Sequence, residues 1–180
     1  MAMGFVVAPT DVTRWSPPMQ EPSSTGVVEA IAVAARAQAP MRFVEHAVAV
    51  AGGGLRGDRY VEGGGTFSDT HGRGHDLTLV EAEVLEAAGL AGDDPGARRN
   101  VVTRGIRLET LMGRHFRIGE VECFGQRACQ PCSHLERLMG PGTLRALANR
   151  GGLRVDLLPA ARSVSATASL RASRVVGAFL

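Results

Sequence analysis

The chain has 180 residues, is 44% hydrophobic and 21% charged, and carries a formal net charge of +2, a composition that suits one globular domain with a sizeable core. All 20 basic residues are arginine; without a lysine the chain cannot hold pyridoxal phosphate as a Schiff base, nor offer a side-chain amine as nucleophile. Aromatic residues make up only 4% and form no stripe with the arginines, which argues against a nucleic-acid surface.

The start, Met1-Ala2-Met3-Gly4-Phe5-Val6-Val7, lacks the basic segment of a signal peptide, and Pro9 and Asp11 interrupt any apolar run. No stretch is long and apolar enough for a membrane span. The expectation is a cytoplasmic protein, where thiols stay reduced and a close cysteine pair is more often chemical than structural.

Residues 1–25 hold Pro9, Pro17, Pro18 and Pro22 with little periodicity and read as a loose arm. Val27–Val33 is strand-like, Phe43–Val50 reads as a second strand, and Gly52–Tyr60 as a glycine-rich turn ending on Asp58 and Arg59. Gly63–Gly74 reads as a loop, followed by His75 and a short strand at Asp76–Val80. Glu81–Ala88 is the clearest helix, with Ala82, Leu85 and Ala88 at helical spacing and Gly89 as its stop. Asn100–Thr103 is β-rich, Leu108–Gly113 a helical turn, and His115–Gly119 with Val121–Gly125 a strand pair. Leu135–Asn149 holds one or two helical pieces broken at Gly140-Pro141-Gly142. Many short strands, glycine turns and few helices predict a mainly β chain folded as a closed or nearly closed barrel.

The chemistry concentrates in Cys129-Gln130-Pro131-Cys132-Ser133-His134, which places two of three cysteines on one short loop. A thioredoxin-type pair opens a helix after a strand in a βαβ unit, a context the sequence does not show. A structural zinc site would need Cys123 and His134 as further ligands, without familiar spacing. The favoured reading is one reactive thiolate, against the alternative that both cysteines are simply buried. Arg98-Arg99-Asn100 offers guanidinium forks and an amide suited to a phosphate or pterin edge, against the reading of a solvated strand end. The arginine excess itself carries little weight, because a GC-rich coding sequence produces the same bias. His71, His75 and Asp76 sit together, but a glycine-rich loop more often displays histidines than binds a metal with them.

Taken in order, several segments resemble the MOSC domain, the C-terminal domain of molybdenum cofactor sulfurases that also occurs as small standalone bacterial proteins. They are Gly26–Ile31, Gly57-Asp58-Arg59-Tyr60, Leu77–Glu83, Arg99-Asn100-Val101-Val102, Gly105-Ile106, Leu111–Gly119, Cys129-Gln130-Pro131-Cys132 and Arg150–Arg154. The resemblance covers roughly residues 26–155, inside a domain drawn at 26–157. It implies a barrel of the MOSC, or pyruvate-kinase-barrel-like, type with a cofactor cleft. Cys132 matches the cysteine that ligates molybdenum in relatives carrying the molybdenum cofactor (molybdopterin), or that carries a persulfide in sulfurase-type proposals. Arg59, Arg99, Asn100, Cys129 and His134 are the candidate cofactor-binding residues beside it. The implied activities are reduction of N-hydroxylated compounds with electrons from a partner protein, sulfur carriage fed by a cysteine desulfurase, or non-catalytic binding.

The ending departs from this pattern. Members of the family usually finish on a strand like Gly-Gly-x-Val-Arg-Val-Gly-Asp, whereas residues 158–180 run from Leu158-Pro159-Ala160-Ala161 to Val175-Val176-Gly177-Ala178-Phe179-Leu180. GC-rich synonymous codons for this tail, read two nucleotides later, encode Pro-Gly-Gly-Pro-Val-Arg-Val-Gly-Asp, which marks the tail as a candidate frameshift. Taken as printed, it is expected to deprive the barrel of its last strand and leave an aggregation-prone edge.

Overall fold

The computed structural model describes residues 25–61, 63–65, 72–91, 96–159, 167–171 and 174–177; the expected arm at 1–24 and His71 lie outside them. The strands are, in chain order, β1 (Thr25–Val33), β2 (Arg42–Val44), β3 (His46–Val50), β4 (Gly54–Leu55), β5 (Leu77–Glu81) and β6 (Val101–Arg104). They continue with β7 (His115–Ile118), β8 (Val121–Ala128), β9 (Leu153–Leu157), β10 (Thr167–Arg171) and β11 (Arg174–Gly177). Three short helices accompany them: α1 (Ala82–Ala87), α2 (Ser133–Met139) and α3 (Thr143–Ala146).

Seven strands close into a barrel in the order β11, β7, β8, β9, β5, β6, β1, with β1 returning to β11. Every pairing in the ring is antiparallel except β5 with β6. A parallel pair needs a crossover, and residues 82–100, with α1 inside them, provide it. β2 pairs with the second half of β1 outside the ring, and β10, β3 and β4 form a separate three-stranded sheet.

Alternation along the strands explains the layers. Leu77 and Leu79 of β5, Val101 of β6, Phe116 and Ile118 of β7, and Leu153, Val155 and Leu157 of β9 fill the barrel with Cys123. Ala47, Ala49, Leu55 and Leu170 bring the smaller sheet into the same core. Val80 and Val102 point the other way and meet Val84, Leu85, Ala97, Leu135 and Leu147 in a second apolar layer under α1 and α2. β5 and β6 are thus apolar toward both layers, as strands covered on two faces must be.

The mainly β barrel matches the expected fold class. The segment Phe43–Val50 is not one strand: it breaks at Glu45, and its halves join different sheets. The expectation of a missing last strand is overturned. β11 lies between β1 and β7, its Val175 is fully buried, and it closes the barrel where an open edge was expected. Val175 and Val176 give it the apolar, β-branched character that suits a barrel stave. Among the described residues, no helix is long and apolar enough to cross a membrane.

Candidate functional site

The sharp exit from β8 is enforced by close packing. A Cβ on Gly151 would lie 2.3 Å from the Cys129 carbonyl oxygen and 3.0 Å from Pro131 Cδ, so only glycine lets the two segments touch. The Cys129 amide donates to the Gly152 carbonyl at 2.7 Å. Cys132 then caps α2, its carbonyl accepting the Glu136 amide at 3.1 Å. The pair therefore does stand between a strand and a helix, although both sheet neighbours of β8 are antiparallel. Cys129 is buried and Cys132 exposed.

Arg99 fixes this loop from beneath. Its Nε donates to the Gly151 carbonyl at 2.7 Å, Nη1 to Ala97 at 2.9 Å, and Nη2 to Cys129 at 3.2 Å. Only 7% of Arg99 is exposed. Burial lowers its pKa from the ordinary arginine value, and Arg154 adds to this, while Cys129, Cys132 and Tyr60 work in the opposite direction. The neighbouring Ala97 and Arg98 both adopt left-handed backbone, at φ 54° and 56°. Such conformations persist where surrounding contacts over-determine them: Ala97 is buried and Arg98 Nη1 donates to the Ala39 carbonyl at 2.8 Å.

A second network lies behind Arg99. Asp58, 1% exposed, accepts from the Ala34 amide at 3.0 Å, Arg59 Nη1 at 3.3 Å, the Tyr60 amide at 3.2 Å and Asn100 Nδ2 at 3.3 Å. Asn100 also donates to the Ala32 carbonyl and accepts from Thr78 Oγ1 at 2.8 Å. Arg59 lies over the Tyr60 ring, 4.9 Å from its centroid.

These loops frame an open cleft on the outer face of the barrel, across β5 and β9. Of the residues singled out in the sequence, Arg59, Arg98, Arg99, Cys129, Cys132 and His134 line it. Asn100 does not. It sits behind the wall and ties Thr78 to Asp58, so any effect on a ligand passes through those partners. Tyr60, Thr78, Gln130, Leu135 and Arg154 complete the lining. Arg154 was missed as a site residue. Its signal was an arginine between Leu153 and Val155, at the outward position of an alternating strand. Four guanidinium groups line the cleft, and no carboxylate does so among the described residues; Asp58 pairs with Arg59. A cleft of this sign draws anions.

Cys123 takes no part. It lies in the barrel interior, where burial pushes its thiol pKa up, and its sulfur donates to the Val121 carbonyl at 3.7 Å. A zinc site uniting Cys123 with the loop cysteines is therefore not assembled.

On the adjoining surface, Arg154 Nη1 donates to the Gly74 carbonyl at 3.4 Å, and Asp156 accepts from the Gly74 amide and from Gln126 Nε2 at 2.6 Å. His75 Nε2 faces Arg127 Nη2 at 3.3 Å. Arginine can only donate, so in a hydrogen bond between the two this nitrogen is the acceptor. Desolvation first, then Arg154 and Arg127, lower its pKa. Desolvation raises that of Asp76, whose carboxylate accepts the Leu157 amide at 2.9 Å.

No protein-family model matches the sequence, and no curated protein matches it. Solved structures do. The chain is similar to the YuaD protein from Bacillus subtilis, with a TM-score of 0.64 at 13% identity over 87% of this chain and 97% of that one. It is similar to YiiM from Escherichia coli, with a TM-score of 0.55 at 17% identity over 86% and 70%. A hypothetical protein gives a TM-score of 0.58 at 18% identity over 87% and 67%. At these identities the likeness is one of fold.

Proposed function

We propose that this chain is a MOSC-type protein that holds a molybdenum cofactor through Cys132. The observation that carries the reading is the exposed Cys132 thiol sharing one cleft with four guanidinium groups and no carboxylate among the described residues. The donor set fits such a group: sulfur is a soft ligand suited to a thiophilic metal, and arginine forks suit a phosphate.

When bound, the cofactor supplies a metal that exchanges electrons with a substrate. Cys132 acts as the protein ligand and presents its sulfur from the start of α2. Arg59, Arg98 and Arg154 line the cleft as donors to an anionic group. Arg99 positions the cysteine loop, since three of its donors already bind carbonyls. Tyr60, Thr78, Gln130 and His134 add shorter-range polar contacts, and Cys129 packs below. The reaction that suits this assembly is reduction of an N-hydroxylated compound, with electrons from a separate partner protein.

Molybdenum content tests the reading. Protein purified from a host that makes the cofactor is compared with Cys132→Ser and Cys129→Ser by elemental analysis. Near-stoichiometric molybdenum is expected in the wild type, lost in Cys132→Ser and largely retained in Cys129→Ser. Absence of molybdenum from the wild type refutes the proposal.

The exposure of Cys132 also favours a second reading, sulfur carriage, because a persulfide acceptor must be reachable by its donor enzyme. A persulfide on Cys132 after incubation with a cysteine desulfurase and cysteine, read by mass spectrometry in protein free of molybdenum, would select it.

A further inference from the structure

We infer that Cys129 and Cys132 form a reversible intramolecular disulfide, making Cys132 a site of regulated oxidation with Cys129 as its resolving thiol. The two cysteines border one cleft but differ in access: Cys132 is exposed, whereas Cys129 is 2% exposed. An exposed thiol meets an incoming disulfide, and a buried neighbour completes the exchange without competing for it.

Their separation is set by the fold. Cys129 is held at the end of β8 through its amide to Gly152 and its carbonyl to Arg99. Cys132 is held by its carbonyl bond into α2. Two residues span the gap, and Pro131 restricts one of them. The end of β8, a two-residue bridge and the start of α2 thus bring both thiols to one loop at the Cys-x-x-Cys spacing found in pairs that cycle between dithiol and disulfide. Cys123 is no competitor, being inside the barrel at 0% exposure.

The oxidant is a small disulfide such as oxidised glutathione. The Cys132 thiolate attacks one of its sulfurs, forming a mixed disulfide and expelling one glutathione thiolate. Cys129 then yields its proton to water and attacks Cys132 Sγ. This forms the protein disulfide and expels the second glutathione. The protein loses two electrons and two protons, and the small disulfide is reduced to two thiols. In the oxidised state Cys132 has no free thiolate to offer a ligand, so the cleft is switched off without being rebuilt.

Full-length reduced protein, equilibrated in glutathione buffers of rising oxidised fraction, is acid-quenched, denatured, alkylated and weighed intact. Wild type is expected to lose two alkylatable thiols with no glutathione retained, and peptide mapping to join Cys129 to Cys132. Cys129→Ser is expected to keep a glutathione on Cys132, and Cys132→Ser to stay fully alkylated. Three free thiols in the wild type across the whole range overturn the inference, as does a glutathione adduct as persistent as that of Cys129→Ser. No arm requires a bound cofactor. Failure here leaves the ligand role of Cys132 standing, and absence of molybdenum leaves the disulfide standing.

Discussion

Asp58 gathers four donors from four residues: the Ala34 and Tyr60 amides, the Arg59 guanidinium and the Asn100 amide. A carboxylate can accept them all because it has two oxygens and no donor of its own. An amide in its place would turn an NH₂ group toward other donors and leave Arg59 as a buried charge without its partner. Asp58→Asn is therefore expected to destabilise the fold by about 3 kcal/mol, within the range for breaking a buried pair, measurable as a fall in denaturation midpoint. A midpoint within experimental error of wild type would show that the turn does not depend on this carboxylate. Arg99 is the complementary case, a buried cation whose three hydrogen bonds among the described residues all go to carbonyls.

At the scale of elements, the decisive contact lies between β9 and β5. A Cβ on Gly152 would meet the Leu79 carbonyl oxygen at 1.9 Å, and the residue has φ +110°. Neither the clash nor the backbone can be relieved by rotating a side chain. Gly152→Ala is expected to cost about 3 kcal/mol or more, on the scale of combined steric and backbone defects, and to loosen the Cys129 amide bonded to the Gly152 carbonyl. Hydrogen exchange should show faster exchange at Cys129 and Leu153 than in the wild type; unchanged protection would contradict it.

The elements also show what could be read from the chain. The helix at 82–87, the hairpin of β7 and β8 and the break between α2 and α3 declared themselves through period and glycine, which are local signals. The split at Glu45 did not, because its two halves differ only in their distant partners: β2 joins β1 and β3 joins β10. The site divides in the same way. Cys132, Cys129, Arg59, Arg99 and His134 stood out by residue type and motif. Arg154 and Thr78 reach the cleft through strand pairing across 76 positions, which no short window contains. Asn100 looked like a ligand residue because burial and network position are invisible in a sequence.

Considered whole, the barrel depends on its last described strand. Removing residues 158–180 takes away β10 and β11 and exposes the edges of β1 and β7, along with the site Val175 fills. Such edges template association between chains. The truncated chain is expected to partition into the insoluble fraction, whereas the full chain stays in the supernatant; a monodisperse truncated protein would show that closure by β11 is dispensable.

The ring of seven strands has a further consequence, one of parity. Going once around a closed barrel must return each strand to its own direction, so the number of direction reversals is even. Seven pairings leave at least one that does not reverse, and here it is β5 with β6. That pair cannot be joined by a hairpin. The chain must travel from one end of the barrel to the other, and this obligatory return path, residues 82–100, brings Arg98 and Arg99 to the cleft wall. Because the parallel pair here joins consecutive strands, one connection must be long, and that connection carries two of the four guanidinium groups of the cleft.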